Sequence, residues 1–415
     1  MRCLRATLMV CVIAFSADLA FGESISIGDY TYSYNLSTKE GAITKYNGSA
    51  ENVTIPSTFS APETYRDSDG ETHTRHHTIT VTAIGDSAFQ NNTTIKSVIF
   101  HDKLKTIGWQ AFYGCWNLRI DIELSNITSI GSRAFQGAGI KSIKTSSALK
   151  SLGGLAFWNC GNLQEAEING SGLNLNGSSG LFWDCPNLKK VTFGSGVTSL
   201  YLQNGSVWGT CSGTFDGCTN LQSVIVGSGV SSVPASFLYR AGNERDKLSV
   251  SFASPVTSVG NDAFSNSNIT NIDLRLSNCA VGSYAFAYCG AEMRGIDFTQ
   301  VTSLGNSAFC GCWNLRRDID LSNATYIDTR AFQGAGITSV KTSASLKSLG
   351  SMAFWNCGGL QEAEINGTNL DIVGASMLFN GCTSLRRIIF GDGVTSLPRG
   401  GGQLFRTICR LHQPC

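Results

Sequence analysis

The sequence predicts a repeat solenoid, a chain wound in stacked turns around one long core, and three observations carry that prediction. The first is a skeleton seen most clearly in IGWQAFYGCWNLRIDIELSNITS, residues 107–129: Ile-Gly, then an Ala-Phe pair, Cys three after the Phe, Leu three after the Cys, then alternating apolar residues. The second is its recurrence. Turns begin near residues 84, 107, 130, 152, 175, 200, 233, 259, 281, 304, 327, 349 and 372, most of them 22 or 23 apart. The third is a larger period: residues 107–200 reappear without a gap at 304–397, with GCWNLR, RAFQGAGI, LKSLG, AFWNC and LQEAEING kept at a constant shift of 197. Because a solenoid grows by stacking, 415 residues need only one structural domain.

Within a turn the sequence supplies one short strand and a return. In NLKKVTFGSGVTSL, residues 187–200, Leu188, Val191, Phe193, Val197 and Leu200 point inward while Lys190 and Thr192 face out. The same reading fits 220–233 and 384–397. Strands repeated in one register predict a parallel sheet on the inner, concave face of a curved solenoid, with the Ala-Phe segments as an outer wall of short helical or 3-10 turns. The Phe of each pair, Phe89, Phe112, Phe135, Phe157, Phe264, Phe286, Phe309, Phe332 and Phe354, is the expected core plug. The Ala before it lets neighbouring turns approach, and the Gly after the Ile or Leu meets a backbone need, a tight turn or a positive φ. Residues 200–258 are less regular, with an insertion at Tyr201 to Gly213 and a charged patch from Arg240 to Lys247.

Upstream, Arg2 and Arg5 precede an apolar run from Leu8 to Phe15 and then Ala20-Phe21-Gly22, which reads as a cleaved secretory signal over residues 1–22. The run is shorter than the roughly 20 residues a spanning helix needs, and no later stretch is long and apolar enough to span. Residues 23–83 lack the skeleton but alternate as half-buried strands do, as in Thr31-Tyr32-Ser33-Tyr34 and Val53-Thr54-Ile55, so a small β-rich cap is expected there, covering the first turn. Residues 61–77 read as a polar loop. It holds His73, His76 and His77, but only Glu71 stands near them as a further ligand, so no metal site is expected. At the other end, residues 398–415 show neither skeleton nor polar cap, and an irregular tail there would leave an apolar edge open to self-association.

The skeleton, with its Ile/Leu-Gly, Ala-Phe, Cys and Leu at fixed spacing, resembles the leucine-rich repeats of BspA-like surface proteins, over roughly residues 40–397. Residues 43–49 followed by 53–57 are similar to the opening segment of such arrays. The resemblance implies a leucine-rich-repeat array on a secreted or surface-displayed module that adheres to host or matrix proteins, rather than one defined biochemical activity.

The residues themselves offer little to an enzyme. There is no P-loop, no nucleophile elbow and no H-E-x-x-H, no cofactor motif, and Glu165/Glu167 and Glu362/Glu364 recur at one repeat phase, which marks a repeated strand surface before an acid/base pair. A net charge of +1 with 15% charged residues gives no reason to expect nucleic acid. A binding protein remains, reading extracellular or host-surface proteins, glycoproteins among them, through outward strand residues: Lys144, Glu167, Thr192, Ile225, Asp273, Asp297, Lys341, Glu364 and Ile389. The alternatives are a structural or receptor-like spacer and, more distant, a carbohydrate-active enzyme.

Eight cysteines sit three residues after the outer-wall Phe: Cys115, Cys160, Cys185, Cys218, Cys289, Cys312, Cys357 and Cys382. Asn92, Ala138, Ser267 and Ala335 fill the same slot elsewhere, so it is a packing position for small side chains and predicts buried free thiols. Disulfides, which a secretory signal favours, are expected instead among Cys211, Cys279, Cys310, Cys409 and Cys415. Trp116, Trp158, Trp313 and Trp355 stand beside the phased cysteines and cover the wall or stack on a sugar or partner. Glycosylation sequons occur at Asn35, Asn47, Asn52, Asn126, Asn204, Asn268, Asn323 and Asn366, and also at Asn91, Asn92, Asn169 and Asn176.

Overall fold

The computed structural model describes residues 22–176, 180–200, 214–242, 248–290, 293, 295–372 and 374–396. The signal segment, the insertion at 201–213, most of the charged patch, the tail, Asn204, Cys211, Cys409 and Cys415 lie outside the described residues.

The chain is a parallel β-solenoid whose turns each give a strand to two sheet faces. On one face Asp121–Leu124, Ser142–Thr145, Glu165–Ile168, Lys190–Phe193, Ser223–Val226, Leu248–Phe252 and Ile269–Asp273 form a seven-stranded parallel sheet, here sheet I. Asp318–Leu321, Ser339–Thr342, Glu362–Ile365 and Arg387–Phe390 form a four-stranded parallel sheet, sheet II. The other face carries shorter strands such as Thr106–Ile107, Ser129–Ile130 and Ser151–Leu152, built on the Ile or Leu that precedes the repeat glycine. Alternation does the sorting: Ile122, Ile143, Ala166, Val191, Val224 and Val250 are buried while the residues between them reach solvent.

The Ala-Phe segments are not helical. Among the described residues the one helical element is the 3-10 turn Phe298–Gln300, outside any Ala-Phe pair. Two left-handed residues bracket each Phe, as with Gln110 (φ 52°) and Gly114 (φ 69°), or Met352 (φ 58°) and Asn356 (φ 59°), and a left-handed residue every fourth position stops any right-handed helix. The backbone groups bond to the next turn instead: Phe112 N–H donates to Ala134 O at 2.7 Å, and Phe135 N–H to Ala156 O at 2.9 Å. The repeat glycine serves close approach rather than positive φ, since a Cβ on Gly131 would lie 2.6 Å from the carbonyl carbon of Gly108 one turn before.

The plugs make a ladder. Phe89, Phe112, Phe135, Phe157, Phe182 and Phe215 stack in sequence at 5.0–5.9 Å, and Phe264, Phe286, Phe309, Phe332, Phe354 and Phe379 stack again at 4.9–5.9 Å. Between the two runs Phe237 meets both neighbours edge-on, and it also touches Phe252, an additional ring from sheet I.

The array starts earlier than residue 84. Tyr46 stacks on Phe89 at 5.0 Å and its N–H donates to Ala88 O at 2.8 Å, the pattern of a Phe slot. Glu40–Tyr46 already runs parallel to Thr72–Ile84, and Asn52–Thr54 parallel to Ser97–Ile99. The antiparallel strands Glu23–Ile27 and Tyr30–Asn35 then continue from Glu40–Tyr46 at that end. Residues 61–77, expected as a polar loop, belong to a long antiparallel hairpin, Thr58–Arg66 with Thr72–Ile84. Cross-strand pairs hold it: Glu63 with Arg75 at 2.6 Å and His77 at 2.5 Å, and Tyr65 under Arg75 and beside His73.

Candidate binding face

The strand register brings most of the expected contact residues into two rows. On sheet I, Glu123, Lys144, Glu167, Thr192, Ile225, Ser251 and Asp273 are aligned neighbours. On sheet II, Asp320, Lys341, Glu364 and Ile389 are aligned. Glu123, Ser251 and Asp320 complete these rows and were not singled out from the sequence, although each sits between two inward apolar residues of its strand. Asp297 is a correction. It is not a strand residue but the cap of the 3-10 turn, its Oδ1 accepting from Thr299 N–H at 3.0 Å and Thr299 Oγ1 at 2.7 Å. An Asp followed two residues on by Thr favours such a local turn over continued strand.

Each row holds one built constellation, and the two are alike. Lys144 Nζ lies 3.3 Å from Glu167, and Asn169 Nδ2 donates to Glu167 Oε1 at 2.9 Å and to Thr145 O at 2.9 Å. Thr145 Oγ1 donates to Asn169 O at 2.8 Å and accepts from Asn169 N–H at 2.7 Å. In the second copy Lys341 lies 3.3 Å from Glu364, Asn366 Nδ2 reaches Glu364 at 2.9 Å and Thr342 O at 3.3 Å, and Thr342 Oγ1 bonds Asn366 O at 2.8 Å and N–H at 2.7 Å. The amide of Asn169 or Asn366 first, and the lysine second, holds each glutamate below the ordinary carboxylate range. Thr145, Asn169, Thr342 and Asn366 were missed as positioning residues; the constant shift of 197 was the available signal.

All eight phased cysteines are buried and free. Seven donate S–H to the carbonyl of the Phe one turn earlier, from Cys115 to Phe89 O at 3.1 Å to Cys382 to Phe354 O at 3.0 Å. Cys279 and Cys310, expected to form disulfides, are buried and free as well. Cys310 lies 3.8 Å from the Tyr288 hydroxyl and Cys279 3.5 Å from Ala280 O.

The sequence matches the family described as BspA type Leucine rich repeat region (6 copies), over residues 82–211, 206–316, 243–361 and 302–407. The chain belongs to the BspA-type leucine-rich repeat family. This BspA-type array is similar to a leucine rich cell surface protein from Faecalibacterium prausnitzii A2-165, with 20% identity, 93% of this chain and 97% of that chain covered, and a TM-score of 0.40. It is similar to a leucine-rich repeat protein of T. pallidum, with 23% identity, 51% and 85% covered, and a TM-score of 0.37. Similarity extends to the pneumococcal vaccine antigen PcpA, at 15% identity, 94% and 96% covered, and a TM-score of 0.33. No curated protein matches the chain.

Elsewhere on the BspA-type array the histidines do not converge. His73 bonds Asp67 at 2.6 Å, His77 bonds Glu63 and Lys39, and His76 lies 3.3 Å from Ser60. Among the described residues the grouping of possible metal ligands is Asp67, Glu71 and His73 at the hairpin tip, where Asp67 is already engaged by His73 and by the N–H groups of Asp69 and Glu71. Trp116 and Trp313 are exposed, whereas Trp158 is half-buried and stacks on Trp183 at 5.3 Å. Of the sequons, Asn366 has its amide nitrogen committed to two acceptors, and Asn323 donates to Thr299 O at 2.7 Å. Among the described residues Asn126 and Asn268 make no side-chain hydrogen bond. Among the described residues no helix is long and apolar enough to cross a membrane.

Proposed function

We propose that this BspA-type array is a secreted or surface-displayed binding protein, not an enzyme, that adheres to an extracellular or host-surface protein through the outward rows of sheets I and II. The observation that carries the reading is the repeated constellation: Lys144 and Glu167 on Asn169 and Thr145, and Lys341 and Glu364 on Asn366 and Thr342. Charges held by their own second layer of hydrogen bonds are preorganised for a partner at low entropic cost. Signs alternate along each row and give way to Thr192, Ile225 and Ile389, a mixture that complements a protein surface better than a polyanion. The apolar segment at residues 8–15 and the family support an extracellular location.

The test is double charge reversal, Glu167→Lys with Glu364→Lys, assayed by pull-down against extracellular proteins alongside a thermal melt. The reading expects captured partners to be lost with the melt within a few degrees of the parent. Unchanged capture would favour a spacer. Hydrolysis of a glycan panel that disappeared with the same change would favour an enzyme.

A further inference from the structure

Beside the charged row of sheet I, where the strands end, runs a groove of about 400 Å³ flanked by Glu123, Lys144 and Asn169. It continues into a hollow of about 200 Å³ through the shared residues Glu123, Leu124 and Ser125. Four consecutive turns each present one exposed serine to it: Ser125, Ser147, Ser171 and Ser195. Among the described residues none of these four hydroxyls makes a side-chain hydrogen bond. Ser146, by contrast, is tied down, donating to Ser125 O at 2.5 Å and accepting from Ala148 N–H at 3.2 Å, so the loop that shapes the groove is fixed. The floor is flattened by glycine: a Cβ on Gly196 would lie 1.9 Å from Gly170 O.

We propose that this groove binds one unbranched, neutral oligosaccharide of about four pyranose units, at a site that borders the protein-binding row proposed above and shares Lys144 and Asn169 with it. Neighbouring turns are spaced at about 4.8 Å, close to the advance per unit of an extended β-linked sugar chain, so each sugar meets one serine. A hydroxyl both donates and accepts and therefore suits sugar hydroxyls of either polarity. Glu123 and Glu167 stand on either side of Lys144 in the row, which leaves no excess of positive charge beside the groove and disfavours an anionic ligand. The groove has no deep apolar pocket of the kind that would choose a peptide side chain.

The chain carries its own comparison. At the shift of 197 the four serines become Ser322, Ala344, Thr368 and Asp392, while Lys341 and Glu364 keep the charged row. The hydroxyl series is thus peculiar to the first copy, although the surrounding core is duplicated.

The experiment is calorimetric titration of the full chain with cellotetraose and with fully N-acetylated chitotetraose. At least one is expected to bind with one site per chain. Ser147→Ala with Ser195→Asp installs the residues the second copy already carries in the same slots, and should weaken that binding at least tenfold without lowering the melting temperature. Ser322→Ala, at the counterpart of Ser125 in the other copy, should leave it unchanged. Absence of binding by both sugars, equal binding by the Ser147→Ala/Ser195→Asp variant, or equal binding of an extended peptide of matched length would each overturn the proposal.

Discussion

At the scale of single residues, the Phe slot is where most of the fold is decided. Phe309 is fully buried and stacked on both sides, against Phe286 at 4.9 Å and Phe332 at 5.3 Å. Phe309→Ala should therefore cost about 3–5 kcal/mol, read in a denaturant melt, and a loss below 1 kcal/mol would mean that the ladder is not continuous there. The slot was legible because the same large ring returns in turn after turn with a small residue before it. The glycine was legible only in part. Its phase was plain, but the left-handed conformation fell on Gln110, Arg133, Leu155 and Met352, side chains with no local signature of a positive φ. What imposes that conformation is hydrogen bonding to the next turn, a long-range cause that a residue's own identity does not report. Gly131→Ala should destabilise through the clash with Gly108 rather than through φ, so Gly131→Ser should be no milder.

At the scale of elements, the strand alternation was legible and the hairpin was not. Ile122, Ile143 and Val191 fall inward as their period of two requires. Residues 61–77 were hidden by composition: both faces of a projecting two-stranded ribbon are wet, so Thr, His and Arg replace the apolar half of the pattern. Asp297 was misplaced for a related reason, because a local cap interrupts the repeat without changing its spacing. The hairpin should respond to acid. Arg75 foremost, then His77, pushes the Glu63 carboxyl down to about 2 from an ordinary 4.5. A carboxyl with a lowered folded-state pKa stabilises fully above its unfolded value, and that contribution disappears as pH falls from 4.5 towards about 2. Amides of 60–66 and 72–78 should therefore exchange faster at pH 2.5 than at pH 5, after correction for intrinsic rates, while amides of sheet I hold. Glu63→Gln should show the faster exchange already at pH 5 and little further change on acidification.

At the scale of the whole molecule, one register runs from Tyr46 to Phe379, with two copies of a block set into it. The duplication was legible as identity at a fixed shift. The true start of the array was not, because Tyr46 carries neither the Ala nor the Cys of the skeleton and only its stacking on Phe89 reveals the slot. The central claim is that this register is continuous, and the phased thiols report on it from Cys115 to Cys382. Burial pushes Cys115 up to about 12, and raises Cys160, Cys218 and Cys312 well above the ordinary thiol value, so each is both inaccessible and protonated. The deciding measurement is mass-spectrometric mapping of thiol alkylation on the native chain. The account predicts that Cys115, Cys160, Cys185, Cys218, Cys289, Cys312, Cys357 and Cys382 stay unmodified until denaturant is added; rapid native labelling of most of them would contradict it.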